Sequence, residues 1–168
     1  MYTSIFTDLE MLTLQNTLRE QKKSITAAES CTGGLVASMI TEVAGSSDIF
    51  NGSIVTYSNK IKNKELGVKE DTLQRFGAVS KEVVNEMLKG VLKKFDADYA
   101  IAISGIAGPN GGTKDKPVGR VIIGVISKNE GQNIEICNFN GTRKEVQIQA
   151  AECSLKKISK FFQKNLDK

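Results

Sequence analysis

Histidine is absent from all 168 residues of the chain. That absence excludes, within one copy, a Ser-His-Asp or Cys-His arrangement and any histidine-ligated zinc. A base for hydrolytic chemistry must then be a lysine, a tyrosine or a carboxylate. Cysteine is scarce as well. Positions 31, 137 and 153 are odd in number and follow neither Cys-x-x-Cys nor any zinc-finger spacing, which argues against a disulfide framework and structural zinc. The acids show no calcium-loop spacing, so metal-independent chemistry is expected. No apolar run reaches the ~20 residues of a membrane helix. The N-terminal stretch carries Asp8 and Glu10 and lacks the basic start and apolar core of a secretory signal. These features lead us to expect a cytoplasmic protein with no membrane partner.

What is present fits one domain spanning residues 1–168. The hydrophobic fraction is 40% and the charged fraction 25%, as in ordinary globular chains, and this length buries a core without staples. The net charge of +4 comes from scattered lysines rather than an aromatic-interleaved basic stripe. A small anionic molecule is therefore the expected partner, and nucleic acid is not.

Hydrophobic spacing predicts an amphipathic helix over 7–22, a strand over 24–28, a helix over 35–43 ended by Gly45, and a strand over 52–57. Strand, helix and strand in succession open an α/β fold. Ser80 reads as the N-cap of a helix running to Phe95, with Val84, Leu88 and Val91 on one face. A buried strand over 98–104, a glycine-rich loop over 105–117, and strands near 119–127 and 132–140 follow. Thr142-Arg-Lys-Glu145 has the form of a capping box opening the last helix.

Chemistry gathers at three predicted strand ends. Ala28-Glu-Ser-Cys-Thr-Gly-Gly34 lies between strand and helix, where ligands bind in open α/β sheets and free N–H groups favour an anion or oxyanion. Ser30 or Thr32 is a candidate nucleophile there, unless the hydroxyl serves only as a helix cap. Cys31 is a rival, but no histidine exists to pair with it. Tyr57-Ser-Asn-Lys-Ile-Lys62 brings a phenol and two amines to the same rim; a solvated lysine is the alternative. Lys62 can act as a base only if its pKa falls towards ~7–8. At the third end, Ser104-Gly-Ile-Ala-Gly-Pro-Asn-Gly-Gly112 exposes backbone N–H groups able to cradle an anion, and it is neither a P-loop nor a dinucleotide fingerprint.

Taken in order, Ala28-Glu-Ser-Cys-Thr-Gly-Gly34, Val55-Thr-Tyr-Ser-Asn59, Gly77-Ala-Val-Ser80, Ser104-Gly-Ile-Ala-Gly-Pro109 with Gly111-Gly112, and Lys116-Pro-Val-Gly119 resemble the CinA C-terminal domain family. The resemblance runs from about residue 7 to residue 162. It implies a three-layer α/β/α sandwich with a mixed sheet, and a homo-oligomer. Members that act alone are nicotinamide-nucleotide amidases, which convert nicotinamide mononucleotide to nicotinic acid mononucleotide and ammonia. The resemblance therefore implies a serine-lysine mechanism without a cofactor. Ser30 matches the family serine, Tyr57 the motif tyrosine, and Lys62 the lysine five residues after it. Neither the molybdopterin-binding-like N-terminal domain of full-length members nor the pyrophosphatase activity attributed to it is expected.

On this reading neutral Lys62, with the Tyr57 phenol orienting it or relaying a proton, activates Ser30 against the carboxamide. The start of the 33–43 helix is expected to hold the oxyanion. Thr32, Gly33, Gly34, Ser104, Gly105, Ala107 and Gly108 are the expected substrate contacts. Arg143, in Phe139-Asn-Gly-Thr-Arg143, resembles the family's Phe-x-Gly-x-Arg and is the candidate phosphate ligand. Arg120 departs from the small residue familiar after Lys-Pro-Val-Gly and is a candidate modifier of the substrate rim. Should Lys62 be only an electrostatic contact, Tyr57 or Glu29 becomes the candidate base. A non-catalytic nucleotide-binding, competence-associated module is the alternative function.

Overall fold

The computed structural model describes residues 5–167. The chain opens with helix α1 (Asp8–Glu20), fixed by a capping box in which the Thr7 hydroxyl accepts the Glu10 N–H and the Glu10 carboxylate accepts the Thr7 N–H. Strand β1 (Ile25–Glu29) and helix α2 (Leu35–Thr41) follow, then a 3-10 turn (Ser46–Asp48), strand β2 (Ile54–Val55) and helices α3 (Asn59–Leu66), α4 (Glu70–Phe76) and α5 (Lys81–Lys94). Strands β3 (Tyr99–Gly105), β4 (Arg120–Ser127) and β5 (Gly131–Asn138) lead to helix α6 (Arg143–Leu166).

The strands form one mixed sheet in the order β2-β1-β3-β4-β5. β2, β1 and β3 run parallel, and β4 and β5 are antiparallel to their neighbours. β1 is buried along its whole length and β3 along all but its last residue, as parallel strands covered on both faces must be. The two-residue alternation of β3 sends Ile101 and Ile103 into a core shared with α1, α2 and α6. Its small residues Ala100 and Ala102 meet α5 on the other face. The result is the expected α/β/α sandwich with a mixed sheet. Among the described residues no helix is long and apolar enough to cross a membrane.

Three differences from expectation have local causes. The strand expected over 52–57 pairs only at Ile54 and Val55, because Val55 lies on the exposed sheet edge and the chain turns away to reach α3. The helix expected to Val43 ends at Thr41. Helices α3 and α4 fall where no helix was predicted. In α3 the inward positions are Lys62 and Leu66, so a buried lysine stands where an apolar residue would have marked the periodicity.

This topology brings the carboxyl ends of β1, β2 and β3 to one edge of the sheet. Antiparallel β4 begins at that edge, β5 ends there, and α6 starts beside it. The three motif-bearing segments meet at this edge.

Candidate active site

Ser30 follows the last residue of β1 and is 7% exposed. Lys62 comes from α3, whose N-cap Ser58 accepts the Ile61 N–H at 3.2 Å and sets the register that turns Lys62 inward. Only 1% of Lys62 is exposed. Its Nζ lies 3.0 Å from Ser30 Oγ, 2.8 Å from the Thr56 carbonyl and 3.1 Å from the Tyr57 carbonyl. A neutral amine has two N–H bonds and one lone pair, and carbonyl oxygens can only accept. With both N–H bonds directed to Thr56 and Tyr57, the lone pair is left facing the Ser30 hydroxyl. A neutral Lys62 can therefore accept a hydrogen bond from that hydroxyl.

Burial lowers the Lys62 ammonium from its ordinary 10.5 to about 8, with a smaller opposing pull from Cys31. Three uncharged oxygens surround the amine, and among the described residues no carboxylate forms an ion pair with it. The Cys31 thiol moves the other way: burial pushes it up to about 12, so it is a poor source of thiolate. Burial thus eases loss of the Lys62 proton and hinders loss of the Cys31 proton, and it is the Ser30 hydroxyl that the Lys62 amine meets.

In front of the pair lies a cavity of about 250 Å³. It is lined by Ser30, Cys31, Tyr57 and Lys62 from the first two motif segments and by Ser104, Gly105, Ile106, Ala107, Gly108, Asn110 and Gly111 from the third. Ala78, Val79 and Arg143 complete it. Arg143, in the first turn of α6, donates at 2.7 Å to the Gly108 carbonyl and at 2.7 Å to the Tyr57 hydroxyl. It thereby links the Tyr57 side chain to the glycine-rich segment. Ser104 donates to the Ala78 carbonyl at 2.7 Å and so ties β3 to the segment before α5. A larger groove of about 620 Å³ lies between β5 and α6 and contains none of these residues.

Of the residues singled out in the sequence, Ser30, Tyr57, Lys62, Ser104, Gly105, Ala107, Gly108 and Arg143 come together at this cavity. Thr32, Gly33 and Gly34 do not line it. Thr32 is 1% exposed and donates to Glu29 at 2.7 Å. The oxyanion role expected of the helix start needs correction, because the Gly34, Val36 and Ala37 N–H groups already donate to the Glu29 carboxylate. Gly33 and Leu35 donate to the Ser30 and Thr32 carbonyls. The same bonds remove Glu29 as a candidate base, since it is fully buried and does not line the cavity.

Tyr57 is placed differently too. Its main-chain carbonyl touches Lys62, while its phenol reaches Arg143, so the phenol has no direct contact through which to orient the amine. Arg120 stays outside the cavity and bonds the Asp115 carbonyl and the Asn138 side chain. Ala78 and Val79 lie in the Gly77-Ala-Val-Ser80 motif and also line the cavity, a place the sequence does not reveal. Their apolar character carries no chemical signal until the fold brings them to the same cavity as Ser30.

Residues 9–162 match the model of the CinA C-terminal domain. Among similar proteins, a CinA-like protein of Endomicrobium trichonymphae is 54% identical over 138 residues, covering 82% of this chain and 32% of that protein. The chain thus spans about a third of the length of such CinA-like relatives. The nicotinamide-nucleotide amidohydrolase PncC of Enterobacter agglomerans is 50% identical over 141 residues, covering 84% of this chain and 86% of that protein. The crystal structure of the competence damage-inducible protein A of Klebsiella pneumoniae superposes with a TM-score of 0.88 at 31% identity, covering 92% of this chain and 96% of that one. With the fold and nearly the whole length in agreement, the chain belongs to the CinA C-terminal domain family.

Proposed function

We propose that this protein hydrolyses the carboxamide of nicotinamide mononucleotide to the carboxylate and ammonia, with Ser30 as nucleophile and Lys62 as base. The observation that carries the chemistry is the buried Lys62 amine, 3.0 Å from Ser30 Oγ with its two N–H bonds held by carbonyls. Lys62 takes the Ser30 proton as Oγ bonds to the carboxamide carbon, then returns it to the departing nitrogen, and ammonia leaves. Water, deprotonated by the same amine, breaks the resulting ester and frees Ser30. The first turn of α2 is occupied by Glu29, so donors to the oxyanion come from the cavity wall itself.

The choice of substrate is supported by the PncC relative, whose length the match nearly fills. The cavity is consistent with it. Ala78, Val79, Ile106 and Ala107 offer an apolar wall to a pyridine ring, and the Arg143 guanidinium at the mouth suits a phosphate. A volume of about 250 Å³ accommodates a mononucleotide better than a dinucleotide. Ammonia release from nicotinamide mononucleotide, measured beside free nicotinamide and the full dinucleotide, tests the proposal. Release from the mononucleotide in clear preference to the others is expected, and no release from it would overturn the assignment.

A further inference from the structure

Glu29 is a fully buried carboxylate with no part in the chemistry above. Its Oε1 accepts from the Thr32 hydroxyl at 2.7 Å, the Gly34 N–H at 3.1 Å and the Val36 N–H at 3.0 Å, and its Oε2 from the Ala37 N–H at 3.1 Å. Helix α2 begins after Gly34, which has φ 106° and no side chain to cap it. The cap comes instead from Glu29, five residues earlier and directly before Ser30. Its negative charge also sits at the positive end of α2. The carboxylate thereby fastens the end of β1, the turn carrying Ser30 and the start of α2 to one another.

The main chain of Glu29 reaches the other half of the pair. Its carbonyl accepts the Thr56 N–H at 2.8 Å, and the Thr56 carbonyl in turn accepts from Lys62 Nζ at 2.8 Å. One residue is therefore bonded, by its side chain, to the turn that carries the nucleophile and, by its main chain, to the residue that aims the base. We infer that Glu29 is the positioning residue of the Ser30–Lys62 pair, its ionised carboxylate holding Ser30 at hydrogen-bonding distance from Lys62. This inference rests on the serine-lysine reading. Four donors converge on the group, which only a carboxylate with two accepting oxygens can satisfy. A glutamine has nearly the same shape, but its amide turns an NH₂ towards donors and leaves at least one of them without an acceptor.

The test is the rate at which a fluorophosphonate, a serine-directed phosphonylating probe, labels Ser30. Fluoride leaves as Oγ bonds to phosphorus and Lys62 takes the proton, so the readout does not depend on the natural substrate. Glu29→Gln is expected to slow labelling by about thirtyfold or more. The pH midpoint of the residual reaction should stay that of the wild type, because Lys62 remains buried. With nicotinamide mononucleotide the loss should fall on kcat, with KM changed by less than about threefold. Thr32→Val removes one of the four donors from a residue outside the cavity, and should slow labelling by about three- to tenfold. It carries the test if Glu29→Gln does not fold. Wild-type labelling rates in a folded Glu29→Gln, or in Thr32→Val if it alone folds, would overturn the positioning role alone. Failure of the wild type to label at Ser30 would overturn the serine-lysine reading and this inference with it.

Discussion

The protonation of Lys62 sets a quantitative expectation for the pH profile. Burial brings its pKa from 10.5 to about 8, and only the neutral amine can accept the Ser30 proton. At pH 8 about half of the molecules then hold a neutral Lys62, against about 0.3% for an unperturbed lysine, a gain of roughly 150-fold in competent enzyme. At pH 6 the neutral fraction falls to about 1%, so kcat/KM should be about fiftyfold lower there than at pH 8. The limb should rise tenfold per pH unit below its midpoint and level off above it. Lys62→Arg keeps a cation in the same place, but a guanidinium does not lose its proton in this range, so the variant should lose about 10²–10⁴-fold in kcat/KM across the whole profile. Steady-state ammonia release between pH 5.5 and 9.5 measures both enzymes. A flat wild-type profile, a midpoint near 10, or near-native turnover by Lys62→Arg would refute the assignment of Lys62 as base.

Other expectations follow from the same contacts. Lys62 also makes stability depend on pH. The unfolded lysine keeps its proton up to about 10.5 whereas the folded one releases it near 8, so the unfolded state binds more protons between these values. Folding stability should therefore rise with pH through this window. Urea unfolding of the wild type should show about 2–3 kcal/mol more gain from pH 6 to pH 10 than Lys62→Met. Equal slopes would mean that Lys62 is not held neutral. Tyr57→Phe removes the hydroxyl bonded to Arg143 but leaves the carbonyl bonded to Lys62, so KM should rise by less than about tenfold with kcat nearly unchanged. A collapse of kcat would restore a proton-relay role to the phenol. Gly105→Ala would place a Cβ 2.9 Å from the Arg120 carbonyl and 2.7 Å from a Val121 methyl, and should lower stability by about 1–3 kcal/mol in urea melts. Unchanged stability would show that β4 yields more easily than its packing suggests.

The fold was largely legible because most elements announce themselves through apolar spacing and caps. Ser80 and Thr142 each stand at the helix start expected of them. β3 and β4 lie where their apolar runs fall. The site was legible in part, and what escaped reading has a common cause. Lys62 occupies a core-facing helix position, so the candidate base itself erased the amphipathic pattern of α3. Glu29 could be read as a base because a carboxylate beside a serine invites it. Its four hydrogen bonds within the 29–37 segment depend on the tight turn at Ser30–Gly34, which no spacing displays. Ala78 and Val79 line the cavity through a long-range arrangement, in which Ser104 holds the Ala78 carbonyl from a strand 26 positions away in sequence.

The most direct measurement of the central claim compares ammonia release from nicotinamide mononucleotide by the wild type, Ser30→Ala and Cys31→Ala at pH 8. Ser30 Oγ is the atom 3.0 Å from Lys62 Nζ, whereas burial keeps Cys31 protonated. The account predicts that Ser30→Ala loses at least about 10³-fold in kcat while still binding the nucleotide, and that Cys31→Ala retains most of its turnover. Turnover by Ser30→Ala at the wild-type rate, or loss confined to Cys31→Ala, would contradict it.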